Sequence, residues 1–412
     1  MPPRSRGPTT VTRLLVLFFT IVVTWLLVMA VTTRQALELE DTFPPFSGEE
    51  KTISTIVHWR SLGQFYHERI LAQFPRPGQD YHVPSFQVLH DIEQIVGKMM
   101  DLTADDIWRK CSSIPLLSLK GMYEIGVLED VDFNHRYCVL MTKSSNAPWG
   151  TVIVNPPDAH ATRKNLSLDC PHPLHDENTG EQALAVFQGT NARSLVIAGV
   201  FRYASNTTSC QGGTYKITDA AHSVQHGFHA AVSAIAKYFM DNDAIDFTAF
   251  QFHGMGPASC EGVDAYLTHG MASLSTIPNE KLFIIWKKMR THFSKIKNDT
   301  FILLPQNEVL TPENPMNYSC SMAGITNLQG RLLNGVSPDQ ICTTVATSVT
   351  GRFIHLEQKP WLREPMLLPL WVQVLNEAHD EFQATLSTSA KELSLPSNPT
   401  PNEKSVNPDH GD

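Results

Sequence analysis

Hydrophobic spacing divides this 412-residue chain into three textures. Leu14–Thr33 is an apolar run without a single charge. Over 52–112 apolar residues recur at helical spacing: Ile70, Leu71 and Phe74 close one segment, and Phe86, Leu89, Ile92, Ile95 and Met99 mark another. From Gly150 onward, short apolar runs alternate with amphipathic ones. Thr151–Val154, Leu195–Phe201, Ile245–Phe252, Ala265–Leu267, Phe301–Leu304 and Arg352–Leu356 read as strands. Helices are expected at Thr179–Phe187, over 219–240 and at Met366–Phe382, with another opened by Pro278. The alternation predicts an α/β fold: a mostly parallel or mixed open sheet with helices on both faces. The expected layout is a cytosolic tail 1–13, a transmembrane anchor 14–33, a stem 34–51, a helical extension 52–149, the α/β domain 150–386 and a disordered, Ser- and Pro-rich tail 387–412.

The charges around the apolar run orient it. Twenty residues rising 1.5 Å each span about 30 Å, a bilayer core. Arg4, Arg6 and Arg13 precede the run, and Glu38, Glu40 and Asp41 follow it, which keeps the N-terminus cytosolic. The run outlasts a signal-peptide core, and no small-x-small cleavage site follows. The expectation is a type II signal anchor: a single-pass membrane protein of the secretory pathway or cell surface, its C-terminal domain lumenal or extracellular. Sequons at Asn165, Asn206, Asn298 and Asn317 agree, which would make it a glycoprotein. Seven cysteines allow up to three bridges with one left over; the pairing is not readable. A net charge of −9 leaves no basic surplus for phosphates, so no nucleic-acid partner is expected.

Polar residues at strand ends carry the candidate chemistry, because ligands of open α/β sheets bind there. The 195–201 run leads into Arg202, 245–252 into His253-Gly254, and 265–267 into Thr268-His269-Gly270. The 301–304 run ends near Gln306 and Asn307, and 352–356 contains His355 and ends in Glu357. Before the first helix of the α/β region, Cys170-Pro-His-Pro-Leu-His-Asp-Glu gathers His172, His175, Asp176 and Glu177. A histidine, a nearby carboxylate, a distant histidine and a free glutamate follow the logic of a catalytic zinc site. His172, Asp176 (or His175) and His253 are the candidate ligands, with Glu357 as base and Arg202 as a clamp for a substrate carboxylate.

These residues resemble the zinc carboxypeptidase-like hydrolases, including relatives that act on glutamyl amides: N-formylglutamate amidohydrolases and poly-γ-glutamate hydrolases. Pro171-His-Pro-Leu-His-Asp176 matches the family's first metal motif loosely, Phe252-His253-Gly254 the second, and Phe353–Gln358 the general-base strand best. The family's HxxE is absent at His172, where His175 stands three residues on. The resemblance covers about 150–385 and implies zinc, hydrolysis of an amide or peptide bond, and a small peptide or amide substrate. It also implies an Asn and an Arg on the substrate carboxylate, for which Asn327 and Arg331 are candidates.

Other patterns compete. His222, His226 and His229 read as a cluster near a helix start: the metal site itself, or for His222 alone a contact behind the ligands or to substrate, or else three partly exposed histidines on a helix that Asp219 caps. A literal HxxE, His90–Glu93, reads as a solvated helical face. Asp130-Val-Asp132 and Asp241-Asn-Asp243 are the triplets that a Golgi glycosyltransferase would use for a metal–nucleotide sugar. A non-catalytic binding protein of the secretory pathway is the third reading. No G-x-S-x-G, G-x-x-x-x-G-K-S/T or G-x-G-x-x-G supports a serine hydrolase or a nucleotide site.

Overall fold

The computed structural model describes residues 61–73, 81–143, 147–157, 164–272, 280–305 and 318–394. All belong to one compact unit, Ser54–Asp412. The 14–33 run, Pro278, Gln306, Asn307 and Asn317 lie outside the described residues. Among the described residues no helix is long and apolar enough to cross a membrane.

The fold is mixed α/β. Among the described residues nine strands form one sheet: β1 (Tyr123–Asp130), β2 (His135–Thr142), β3 (Thr151–Val154), β4 (Lys164–Cys170), β5 (Ala192–Ile197), β6 (Thr248–Phe252), β7 (Ala265–Thr268), β8 (Ile302–Leu303) and β9 (Phe353–Gln358). Their order is β1-β2-β3-β5-β4-β6-β9-β7-β8. The centre, β5-β4-β6-β9, is parallel, while β1 to β3 and β7 run antiparallel to their inner neighbours. The longer helices among the described residues are α1 (Phe86–Met100), α2 (Thr179–Thr190), α3 (Gly227–Asp241), α4 (Glu280–Phe293), α5 (Leu328–Leu333) and α6 (Leu368–Ser394).

Each sheet face has its own core, and strand alternation assigns side chains to them. Leu168, Cys170, Phe250, Phe252, Ile354 and Leu356 pack against α2, α4 and α6 around Trp371. Val196, Ala249 and Phe353 belong to the other core, with Ile92 and Ile95 of α1 and Phe228 and Ile235 of α3. Gln251, His253, His355 and Glu357 continue the period of Ala249 and Phe353, so they emerge on the α1–α3–α5 side.

Several expectations need correction. The 52–149 extension is not wholly helical, since β1 and β2 form a hairpin that continues the main sheet into β3. Asn134, at φ 50°, turns that hairpin, and the flanking apolar runs pair with one another. The 150 boundary therefore falls inside one sheet. The strand expected over 195–201 stops at Ile197, opposite Thr151, the first residue of β3, and Cys170, the last of β4. Beyond it Gly199 lies so close to Gly150 that a Cβ would sit 2.8 Å from the Gly150 nitrogen. The helix expected over 219–240 begins only at Gly227, and the closing helix runs on to Ser394, into the stretch expected to be disordered. Disulfides join Cys111–Cys138, Cys210–Cys342 and Cys260–Cys320, leaving Cys170 free and buried.

Candidate metal centre

The topology picks one crevice. The chain leaves β4 for β5 on one side and later enters β6 on the other, so the strand order reverses at β4/β6. Such a switch point opens a cleft beyond the strand ends. The loop after β4 carries His172 and Asp176, and the residue after β6 is His253. From β9, beside β6, come His355 and Glu357. Glu357 lies within β9 rather than at its end, and it faces the cleft by period two.

Three side chains converge. Asp176 Oδ2 stands 3.5 Å from His172 Nδ1 and 3.6 Å from His253 Nδ1. One potential ligand atom from each lies within 4.8 Å of the others, and all three residues are buried. His175, the alternative to Asp176, is exposed and packs edge-on against Phe201 and Tyr203. Gly254 suits its place because the Arg363 guanidinium occupies the space of a Cβ there.

Both imidazoles are held from behind. His172 Nε2 lies 2.8 Å from Asp219 Oδ1, and His253 Nε2 lies 2.7 Å from Gln251 Oε1. Each acceptor orients its ring and leaves Nδ1 toward Asp176, the arrangement that tunes metal-binding histidines. His172 Nδ1 is buried with no hydrogen-bond partner. An orphaned nitrogen lone pair facing a buried carboxylate is what a cation would satisfy, and two imidazoles with one carboxylate suit zinc. The residues present therefore fit the metal that the sequence implies.

The electrostatics agree. Asp176 and Asp219 are held well below the ordinary carboxylate range: burial opposes ionisation, but the His172 and His253 side chains outweigh it at Asp176, and His172 and His222 at Asp219. Burial pushes His253 down to about 4 and His355 well below its usual value. Burial and Arg202 also oppose charge on His172, yet Asp219 and Asp176 raise its pKa overall. Glu357 is pushed well above the usual glutamate value, first by burial and then by Asp176. Its nearest ion-pairing group among the described residues is His355 Nε2, at 3.8 Å. His253, His355 and Glu357 form a second triad with metal-ligand spacing. Together these side chains line a cavity of about 430 Å³ with Arg202, Tyr203, Tyr215, His222 and Asn327.

The remaining candidates divide. Arg202 donates from Nη2 to Asp219 at 2.6 Å and borders the cavity. His222 also borders it, between Asp219 (3.0 Å) and Thr326 Oγ1 (3.2 Å), stacked on Tyr215. Asp219 therefore caps no helix. Sequence reasoning missed its role as the shared anchor of His172, Arg202 and His222, and the role of Gln251 altogether. Gln251 carried one usable signal: it precedes His253 by two on a strand, hence on the same face.

Arg331 does not border the cavity. Its Nε donates to the Ile325 carbonyl and its Nη1 to those of Ile341 and Cys342. Asn327 is buried, caps α5 by accepting from Gly330 N, and donates to Gln251. The 222–229 cluster does not converge: His226 caps α3, while His229 meets Gln329. Asp130, the last residue of β1, accepts from Leu62 N, Phe133 N and Gln188 Nε2, and Asp241 pairs with Lys237. His90 and Glu93 are half-exposed on α1, as a solvated face should be. Of the sequons, Asn206 and Asn298 are exposed. Asn165 is half-buried in β4, its amide donating to Asp246.

No family model matches the chain, and no curated protein matches it. Solved structures give distant likenesses. A gene product of Agrobacterium tumefaciens is 11% identical at a TM-score of 0.31, over 54% of this chain and 90% of its own. A metallo-carboxypeptidase of Burkholderia cenocepacia is 9% identical at a TM-score of 0.30, over 65% of this chain and 68% of its own. Likenesses this distant assign the chain neither a family nor an activity.

Proposed function

We propose that this chain is a metal-dependent hydrolase of an amide or peptide bond. The observation that carries the reading is the meeting of two imidazole Nδ1 atoms at one carboxylate, with both Nε2 atoms tied down, beside a glutamate whose nearest ion-pairing group among the described residues is a histidine, His355. His172, Asp176 and His253 would hold a zinc ion and leave a fourth position open. Bound there, the ion would polarise a carbonyl and lower a coordinated water's pKa from 15.7 to about 7.

The chain's own groups do the rest. Glu357 accepts the proton of the attacking water and returns it to the leaving nitrogen. Its raised pKa strengthens it as a base and, once protonated, keeps it ready to donate. Arg202, fixed by Asp219 at the cavity's border, is placed to hold a carboxylate of the substrate. Glu357→Gln keeps the shape and removes the basicity. Against a panel of N-acyl amino acids and short peptides, turnover should fall about a hundred-fold or more, with metal content and stability retained. Unchanged turnover would refute the role, as would a stability loss of about 3–5 kcal/mol, the mark of a broken buried ion pair.

The glycosyltransferase reading has less support, since neither Asp-x-Asp triplet borders this cavity. A binding protein would not need strand-end histidines and a glutamate in one cavity. We also propose a lumenal or extracellular setting behind a type II anchor. Three disulfides and exposed sequons at Asn206 and Asn298 support it. Deglycosylation of the expressed chain should shift its mobility, and microsomes should protect a C-terminal tag from protease. A tag digested from the cytosolic side would overturn the orientation.

A further inference from the structure

Behind His253 lies a buried chain of carboxamides. Gln251 and Gln329 have no exposed surface, and Asn327 is 1% exposed. A carboxamide presents either an acceptor oxygen or a donor nitrogen, and its neighbours decide which. Here both ends of the chain meet backbone groups, whose polarity cannot reverse.

At one end, Asn327 Oδ1 accepts from the Gly330 backbone N–H at 2.9 Å, the N-terminal cap of α5. That commits Asn327 Nδ2 to the other side, where it donates to Gln251 Oε1. At the other end, Gln329 Nε2 donates to the Ala220 carbonyl at 3.0 Å. That leaves Gln329 Oε1 for Gln251 Nε2, at 3.4 Å. The two anchors agree on one orientation of Gln251, its oxygen toward His253. An oxygen can only accept, so His253 Nε2 must carry the ring proton and the lone pair falls on Nδ1, the atom facing Asp176.

We propose that Gln251, locked by Asn327 and Gln329, selects the Nε2–H tautomer of His253 and so keeps its Nδ1 ready to bind a metal. Gln251, Asn327 and Gln329 are positioning residues, and the polarity of two backbone groups sets the protonation of a ligand they never touch. The other histidine needs no such relay: an ionised Asp219 can only accept, whichever way it turns. The inference rests on the metal-site reading, but its first test does not need the metal.

Long-range ¹H–¹⁵N correlation of the chelator-stripped full chain at neutral pH should show His253 protonated at Nε2. An Nδ1–H signature would overturn the proposal. Asn327→Asp keeps the oxygen that caps α5 and replaces the donor to Gln251 by a second acceptor; Gln251→Leu removes the lock outright. Both should weaken zinc binding by about 10- to 100-fold and release His253 from a single tautomer. Folded variants with wild-type affinity and wild-type tautomer would contradict it. Should a variant fail to fold, the wild-type spectrum still decides. A wild-type chain that binds no zinc would defeat the hydrolase reading, while the tautomer would still decide this one.

Discussion

One stretch of this chain is dense in histidine and its rings diverge, while two histidines far apart in sequence meet at one carboxylate. His222, His226 and His229 lie within eight residues, yet their side chains go three ways, to Asp219 and Thr326, to the cap of α3, and to Gln329. His172 and His253 sit far apart in sequence on separate strand ends, yet both face Asp176. Histidine density is therefore a poor guide. What marks a ligand pair is that each ring is tied at one nitrogen by an acceptor and turns the other toward a shared carboxylate. The i, i+4 argument for the dense cluster required a helix, and the helix begins only at Gly227.

The contrast can be broken directly. His172→Ala and His253→Ala should each abolish stoichiometric zinc, whereas His226→Ala and His229→Ala should retain it, as read by elemental analysis of the purified chains. The opposite pattern would return the metal to the 222–229 segment.

A smaller effect sharpens the contrast between Glu357 and the paired carboxylates. Burial and Asp176 hold Glu357 above its ordinary 4.5. In the metal-free chain the folded state thus keeps that proton to higher pH than the unfolded state. Stability must fall as pH rises from about 4.5 through the folded pKa, and the penalty is complete above it. Glu357→Gln removes the penalty. Its stability advantage over wild type should open across that window, by about 1.4 kcal/mol for each pH unit separating the folded pKa from the unfolded one. Denaturant titrations between pH 4 and 8 would show this, and a gap that stays flat or closes would mean that Glu357 is not desolvated.

Where the sequence was read correctly, a strong period did the work. The apolar run into His253-Gly254 announced β6, and Phe353–Gln358 placed Glu357 on a strand. β4, the strand that delivers His172, escaped notice because Asn165, Ser167 and Asp169 make it half polar. Its polar face is buried inside the protein, where alternation no longer separates core from solvent. Asp176 could not be told from His175 by spacing; only the folded loop turns one inward. Arg331 looked like a clamp because a turn with Asn and Arg suits a carboxylate, but its guanidinium is consumed by carbonyls that lie ten or more residues on, or within its own turn. Gln329 is anonymous in sequence and Gln251 shows only which face it shares with His253, since their meaning lies in the side chains and backbone groups they meet once folded.

The central claim is that His172, Asp176 and His253 hold a metal, and its most direct test is the zinc content of the full chain purified without chelator, beside His172→Ala. The account predicts one zinc per wild-type chain and none in the variant, with both folded. A wild-type chain free of metal after incubation with zinc, or a His172→Ala chain that keeps its full complement, would contradict it.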